Sequence, residues 1–184
     1  MRKNNYIALA KKSSSIQINE LKKIKRVFNH SFVKAVDLIL NCKGKIIFAG
    51  VGKSGLIAKK ISATFSSVGI PSFFCDPAQA LHGDMGQIEK KDILIIFSYS
   101  GNTSELNNML KYANRYRIKV IGVASKTDSI LLKASDIKLV LPKVKESDLT
   151  GMVPTSSTTI TLLLGDCLAT TVMHQKKFSK EKFK

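Results

Sequence analysis

The chain contains no tryptophan, three cysteines, four prolines and only 13 acidic side chains against 30 basic ones. Each shortage excludes something. Cys42, Cys75 and Cys167 are odd in number and far apart, with no C-x-x-C pair. That rules out a disulfide framework and a structural zinc pattern, and it reads as reduced core thiols in a cytoplasmic protein. No apolar run approaches the roughly 18–20 residues that a membrane span needs. Met1-Arg2-Lys3-Asn4-Asn5 leads into polar sequence rather than an apolar signal core, so secretion is not expected. The lack of acids leaves a net charge of +17. Nucleic-acid binding is nevertheless not expected, because the lysines are scattered through every segment and into the tail that follows Lys176. Positive potential serves a phosphorylated small molecule equally well.

Against these shortages, 44% of the 184 residues are hydrophobic and they are spread along the whole length. That is enough for one domain with a real core. Residues 1–14 read as a frayed polar leader, and 15–184 as a single domain. From Ile16 to about Leu40, Ile16, Leu21, Ile24, Phe28, Phe32, Val36 and Ile39 recur at helical spacing, predicting one long N-terminal helix that Gly44 closes. Strands are predicted at Lys45–Ala49, Ile70–Cys75, Asp92–Phe97, Lys119–Ala124 and Ile137–Leu141. Helices are predicted between them over Ser54–Ser67, Thr103–Tyr116 and Ser129–Ala134, with a last one over Thr155–Gln175. Asp92–Phe97 is an almost unbroken apolar run, as in strands buried on both faces. Alternating strands and helices imply an α/β fold: a three-layer αβα sandwich around a five-stranded parallel sheet, plus an N-terminal helix.

Two strand-to-helix loops share one design. Gly50-Val51-Gly52-Lys53-Ser54-Gly55 follows the first strand, and Ser98-Tyr99-Ser100-Gly101-Asn102-Thr103-Ser104-Glu105 follows the third. Small and hydroxyl residues before a helix leave backbone N–H groups free for an anion. The first loop satisfies the G-x-G-x-x-G dinucleotide fingerprint, with Asp76 roughly where a ribose-binding acid stands. That reading accounts for neither Lys53 nor the second loop. Gly52-Lys53-Ser54 also imitates a nucleoside triphosphate loop, but Ile47 occupies the position of its first glycine. A third hydroxyl cluster, Thr155-Ser156-Ser157-Thr158-Thr159, opens the last helix behind Pro154. Three sets of donors at helix N-termini suit a phosphomonoester, each end contributing ~0.3–1 kcal/mol electrostatically.

The segments G-V-G-K-S-G, S-Y-S-G-N-T-S-E and P-T-S-S-T-T resemble the sugar isomerase (SIS) domain. The connecting text P-S-F-F-C-D-P-A-Q-A-L-H-G-D-M-G and G-M-V-P-T-S-S-T-T-I-T-L-L-L-G-D-C-L-A is similar to the D-arabinose 5-phosphate isomerases of that family. The resemblance implies interconversion of D-ribulose 5-phosphate and D-arabinose 5-phosphate, a step toward the lipopolysaccharide sugar Kdo. It implies no cofactor and no metal. Aldose–ketose isomerisation needs a base, a group that polarises the carbonyl, and help with hydroxyl protons.

Carried over by resemblance, Lys53, Glu105, Glu146 and His82 are the catalytic candidates, with Glu105 the candidate base, Lys53 the group that would stabilise the enediolate or the phosphate, and Glu146 a second carboxylate. Ser54, Ser98, Ser100, Thr103, Ser156 and Ser157 are the phosphate-binding candidates. Each has a plainer reading beside it: Lys53 as one exposed lysine among many, Asn102-x-x-Glu105 as a capping box, Glu146 as a solvated loop acid, His82 as a turn residue. Relatives form tetramers with active sites at subunit junctions, which implies that His82 serves a neighbour's site. Many relatives continue into an S-H-P-G-G segment with a helpful histidine and then into paired CBS domains; this sequence stops at Phe183-Lys184. Three alternatives stay open: a 6-phospho-3-hexuloisomerase or phosphoheptose isomerase type of SIS enzyme, a non-catalytic sugar-phosphate sensor, and a dinucleotide-binding oxidoreductase. A small-molecule sugar phosphate is the expected partner, with neither nucleic acid nor membrane.

Overall fold

The computed structural model describes residues 4–178. Five parallel strands form one sheet: β1 (Ile46–Gly50), β2 (Ser72–Cys75), β3 (Ile93–Phe97), β4 (Lys119–Ala124) and β5 (Ile137–Val140). Their spatial order is β2-β1-β3-β4-β5. The chain therefore winds outward from β1 in one direction to β2, then returns across β1 to build β3, β4 and β5. The reversal lies between β1 and β3, and in such sheets ligands bind beyond the strand C-termini at that point.

The helices are α1 (Asn4–Leu21), α2 (His30–Leu40), α3 (Lys53–Ser67), α4 (Leu106–Tyr116), α5 (Ile130–Lys133) and α6 (Ser156–Gln175). Alternation along the strands decides which face each residue joins. Ile46, Phe48, Ile93, Ile95, Phe97, Ile121 and Val123 pack against α2, α3 and α6. Ile47, Ala49, Leu94, Ile96, Val120 and Ala124 pack against α4 and α5 on the other face. Both faces are covered, so β1 and β3 are buried at every position. Each fully buried Ile, Leu or Phe contributes about 1.5–3 kcal/mol. Phe48 anchors the first face, its ring 4.9 Å from Phe65 and stacked on Phe97 at 6.2 Å. The three-layer αβα expectation holds, strand by strand, to within two residues at each end.

Two expectations for the N-terminal region need correction. Residues 4–14 do not fray but belong to α1, in which Ala8-Leu9-Ala10-Lys11-Lys12 is a run of strong helix formers. Residues 1–3 of the expected leader and residues 179–184 of the basic tail lie outside the described residues. The long helix expected from Ile16 to Leu40 is broken into two. After Leu21 the chain tightens into a 3-10 segment, Lys22–Val27, that buries Ile24 and Val27. Asn29 then caps α2, its side-chain oxygen accepting the Ser31 N–H at 2.8 Å. Helical periodicity survives such a break because both pieces turn their apolar stripe to the same core.

Candidate active site

Helix α3 starts where β1 ends, and two glycines permit it. Gly52 holds φ at +57°, a conformation that side chains rarely adopt. Gly55 packs so closely on the strand that a Cβ there would stand 2.6 Å from the Gly50 carbonyl oxygen. This contact brings the first turn of α3, with its unpaired N–H groups, over the end of the sheet. Lys53 and Ser54 occupy that turn.

The loop after β3 is organised by its own hydroxyls. The Gly101 N–H donates to the buried Ser98 hydroxyl at 3.1 Å, and Ser98 shares a 2.8 Å hydrogen bond with the Thr103 hydroxyl. The capping box expected at Asn102 and Glu105 does not form. The Asn102 side chain instead accepts the Ile130 N–H at 2.9 Å and so caps α5 across the chain. Residues 103–105 make a turn, and α4 begins only at Leu106. The exposed Glu105 accepts the Ser104 hydroxyl at 2.8 Å. Its own backbone N–H and that hydroxyl hold its carboxyl below the usual range.

The third hydroxyl cluster also differs from expectation, because a carboxylate of the protein already sits on it. Glu146 Oε2 accepts the Thr155 N–H at 2.7 Å, the Thr155 hydroxyl at 2.9 Å and the Ser157 N–H at 3.3 Å. It thereby caps α6 and takes donors that the sequence reading gave to phosphate. Burial opposes its ionisation, but the hydrogen bonds from Ser157 and Thr155 outweigh burial and hold the carboxyl below its ordinary 4.5. Ser156 is fully buried, and no partner is present for its hydroxyl among the described residues.

These loops enclose a cleft of about 340 Å³ lined by Lys53, Ser54, Tyr99, Ser100, Glu146 and Ser157, with Val51, Pro154, Thr158 and Thr161. The volume is at the low end of small-molecule sites. Five of the ten sequence candidates therefore line one cleft. Ser98 and Thr103 brace its β3 loop from behind, and Ser156, the first residue of α6, is buried. Glu105 and His82 are exposed and do not line it. His82 sits on a short 3-10 turn, Ala80–His82, beyond β2. Lys53 and Glu146 are the charged groups of the lining. A comparable cleft of about 370 Å³ lies at the opposite end of the sheet, beside Arg117, Lys119, Lys133 and Asp136. It faces the C-termini of α4 and α5, which present carbonyl oxygens rather than the amide donors an anion needs.

Sequence reasoning missed Tyr99, which stands between the two serines it singled out. The Tyr99 hydroxyl accepts the Val144 N–H at 2.9 Å and donates to the Pro142 carbonyl at 3.2 Å. It thus pins the loop that carries Glu146 to the loop that carries Ser100. The only signal available was its position: an aromatic residue just past a buried strand, in an otherwise small-residue loop. Among the described residues no three His, Cys, Asp or Glu side chains gather as a metal site would require.

The family model described as the SIS domain matches residues 39–171. The chain belongs to the SIS family. It is 41% identical over 182 residues to the arabinose 5-phosphate isomerase KdsD of Francisella tularensis, with 97% of this chain covered and 56% of that protein. It is 40% identical over 181 residues to the uncharacterised protein RP505 of Rickettsia prowazekii, covering 98% and 56%. The chain thus spans little more than half the length of these relatives. Among solved structures, the Escherichia coli CFT073 protein c3406 in complex with arabinose 5-phosphate superposes with a TM-score of 0.95 at 33% identity, covering 100% of this chain and 97% of that one. The matched residues run from α2 into α6 and include the whole lining of the cleft.

Proposed function

We propose that the protein interconverts D-ribulose 5-phosphate and D-arabinose 5-phosphate. The observation that carries this reading is that Lys53 and Glu146, far apart in sequence, line one cleft at the reversal point of the sheet. The names of the similar proteins support the choice of sugar. In this reading Ser54 and Ser100 receive the phosphate with the free amides at the start of α3, Ser98 and Thr103 shape the loop that presents Ser100, and Ser156 and Ser157 open α6 beside Glu146. Glu146, held ionised, is the base. It takes a proton from C1 of the ketose, which leaves a cis-enediolate, and returns it to C2 as the hydroxyl proton moves between O1 and O2. Lys53 stabilises the oxyanion that forms at the former carbonyl. Glu105, the acid that the resemblance offers as base, is exposed and outside the cleft lining, so it has no step on the substrate and the base is assigned to Glu146.

The assay is direct. Incubation with D-ribulose 5-phosphate is expected to yield D-arabinose 5-phosphate, and Lys53→Met is expected to lower kcat/KM on the order of 10²–10³-fold. Turnover only of a hexulose or heptulose phosphate would point to another SIS isomerase. Sugar-phosphate binding without turnover would make the protein a sensor.

We further propose a cytoplasmic homotetramer whose product supplies Kdo synthesis. Leu81, Leu149 and Met152 are large, strongly exposed apolar residues. Leu81 adjoins His82, and the other two lie a few residues before Pro154 of the cleft lining. A neighbouring copy that covered them would bring His82 to a cleft it does not line in its own chain. Mixing inactive His82→Ala and Lys53→Met chains under exchange conditions is then expected to recover part of the activity. No recovery, in chains shown to exchange, would mean that each copy works alone.

A further inference from the structure

The segment carrying Glu146 is held from a side that lies outside the matched family residues. Lys145 and Ser147 flank Glu146, and both are fastened to α1. The Lys145 N–H donates to Glu20 Oε2 at 3.0 Å. Ser13 donates to the Ser147 hydroxyl at 2.8 Å, and the Gln17 amide nitrogen approaches the same oxygen at 3.3 Å. The Gln17 amide oxygen lies 3.3 Å from the hydroxyl of Thr159, in the first turn of α6, and shares its proton with the Thr155 carbonyl at 2.8 Å. Ser13, Gln17 and Glu20 are spaced four and three apart, so one stripe of α1 makes every one of these contacts. The inner ends close the network. Ser147 N–H donates to the Thr155 hydroxyl at 2.9 Å, and that hydroxyl donates to Glu146.

From this we infer that Ser13, Gln17 and Glu20 are positioning residues that set the Glu146 carboxylate in the cleft, making α1 a working part of the active site. The inference rests on the role proposed for Glu146. Glu20 Oε2 also pairs with Lys23 at 2.5 Å, whereas residues 5–12 of α1 are exposed and, among the other helices, α1 packs mainly on α6. The contacts are directed hydrogen bonds to a loop, not apolar packing. Their effect passes through geometry, and a shift of about 1 Å in a catalytic group costs on the order of 10²-fold in rate.

Gln17→Met keeps the size of the side chain and removes both polar ends. It is expected to lower kcat about tenfold while KM changes less than about threefold, and to raise deuterium uptake over residues 143–155. Ser13→Thr, which retains the hydroxyl, is expected to stay near the parent in both readouts. In a Glu146→Gln background Gln17→Met is expected to cost nothing further, because a residue acting through Glu146 shares its loss. Independent, multiplying losses in that double variant, or unchanged uptake over 143–155, would overturn the positioning role. If the unmodified protein shows no isomerase activity, the functional reading fails by itself. The positioning role is then decided by the exchange data and by NMR titration of the Glu146 carboxyl. That carboxyl is expected to titrate higher in Gln17→Met, and an unmoved titration would overturn the inference.

Discussion

Glu146→Gln is expected to lower kcat on the order of 10²–10⁴-fold in conversion of ribulose 5-phosphate, with a much smaller change in KM. The amide still fits the N-terminus of α6, with its oxygen able to accept from Thr155 or Ser157, so the loop stays in place. What the proposed mechanism loses is its proton acceptor. The parallel Glu105→Gln change, outside the cleft lining, is expected to cost less; a larger loss at Glu105 would make it the base instead. A second readout is independent of substrate. The Glu146 carboxyl titrates below its ordinary value in the folded chain, so ionised Glu146 adds stability that is fully present above that ordinary value. The contribution fades as pH falls through the lowered value. Urea unfolding between about pH 5 and 2 is therefore expected to show a shallower acid loss in Glu146→Gln than in the parent. Identical acid profiles would mean that the caps at Thr155 and Ser157 do not hold the charged form.

Gly55→Ala is expected to destabilise the protein by about 1–3 kcal/mol, although alanine is the better helix former by about 1 kcal/mol. The reversed sign is diagnostic. The added Cβ meets a backbone carbonyl, that of Gly50 in the central sheet, which cannot rotate aside as a side chain would. At this chain length a loss of 1 kcal/mol lowers Tm by about 2–4 °C. Relief comes only by lifting the start of α3, and Lys53 and Ser54 go with it. The variant is therefore expected to lose affinity for sugar phosphate as well as stability, by calorimetry and KM together. A Tm equal to or above the parent's would mean that helix and strand stand further apart than described.

The contrast between these two residues shows what was legible beforehand. Gly55 belongs to a local pattern, strand then glycine-rich turn then helix, and local pattern also placed β4 at its true ends and β1 and β3 within one residue. Lys53 and Ser54 followed, because a short strand-to-helix turn leaves little freedom. Glu146 looked like a loop acid, and only its partners at Thr155 and Ser157 make it a cap and a cleft carboxylate. The same holds for Asn102. Its spacing to Glu105 fits a capping box, yet its side chain finds a better donor at Ile130, in a helix that begins 28 residues later. Polar side chains choose among several partners of similar strength, and tertiary placement makes that choice. Gln17 and Tyr99 were invisible for that reason. The break at Asn29 was missed because apolar spacing records which face is buried, not whether the backbone is continuous.

The two outer strands bear on how copies of this protein would meet if they assemble as proposed. β2 and β5 have four residues each. Pro71, with no N–H to donate, stands at the head of β2, and the exposed Lys138 lies within β5. Short margins with a proline or a lysine are poor templates for another chain's backbone. Sheets from separate copies are thereby kept from joining edge to edge. The proposed association is left to helices and loops, the same parts that carry the cleft and its supports, so on that proposal assembly and the cleft would draw on one set of surfaces.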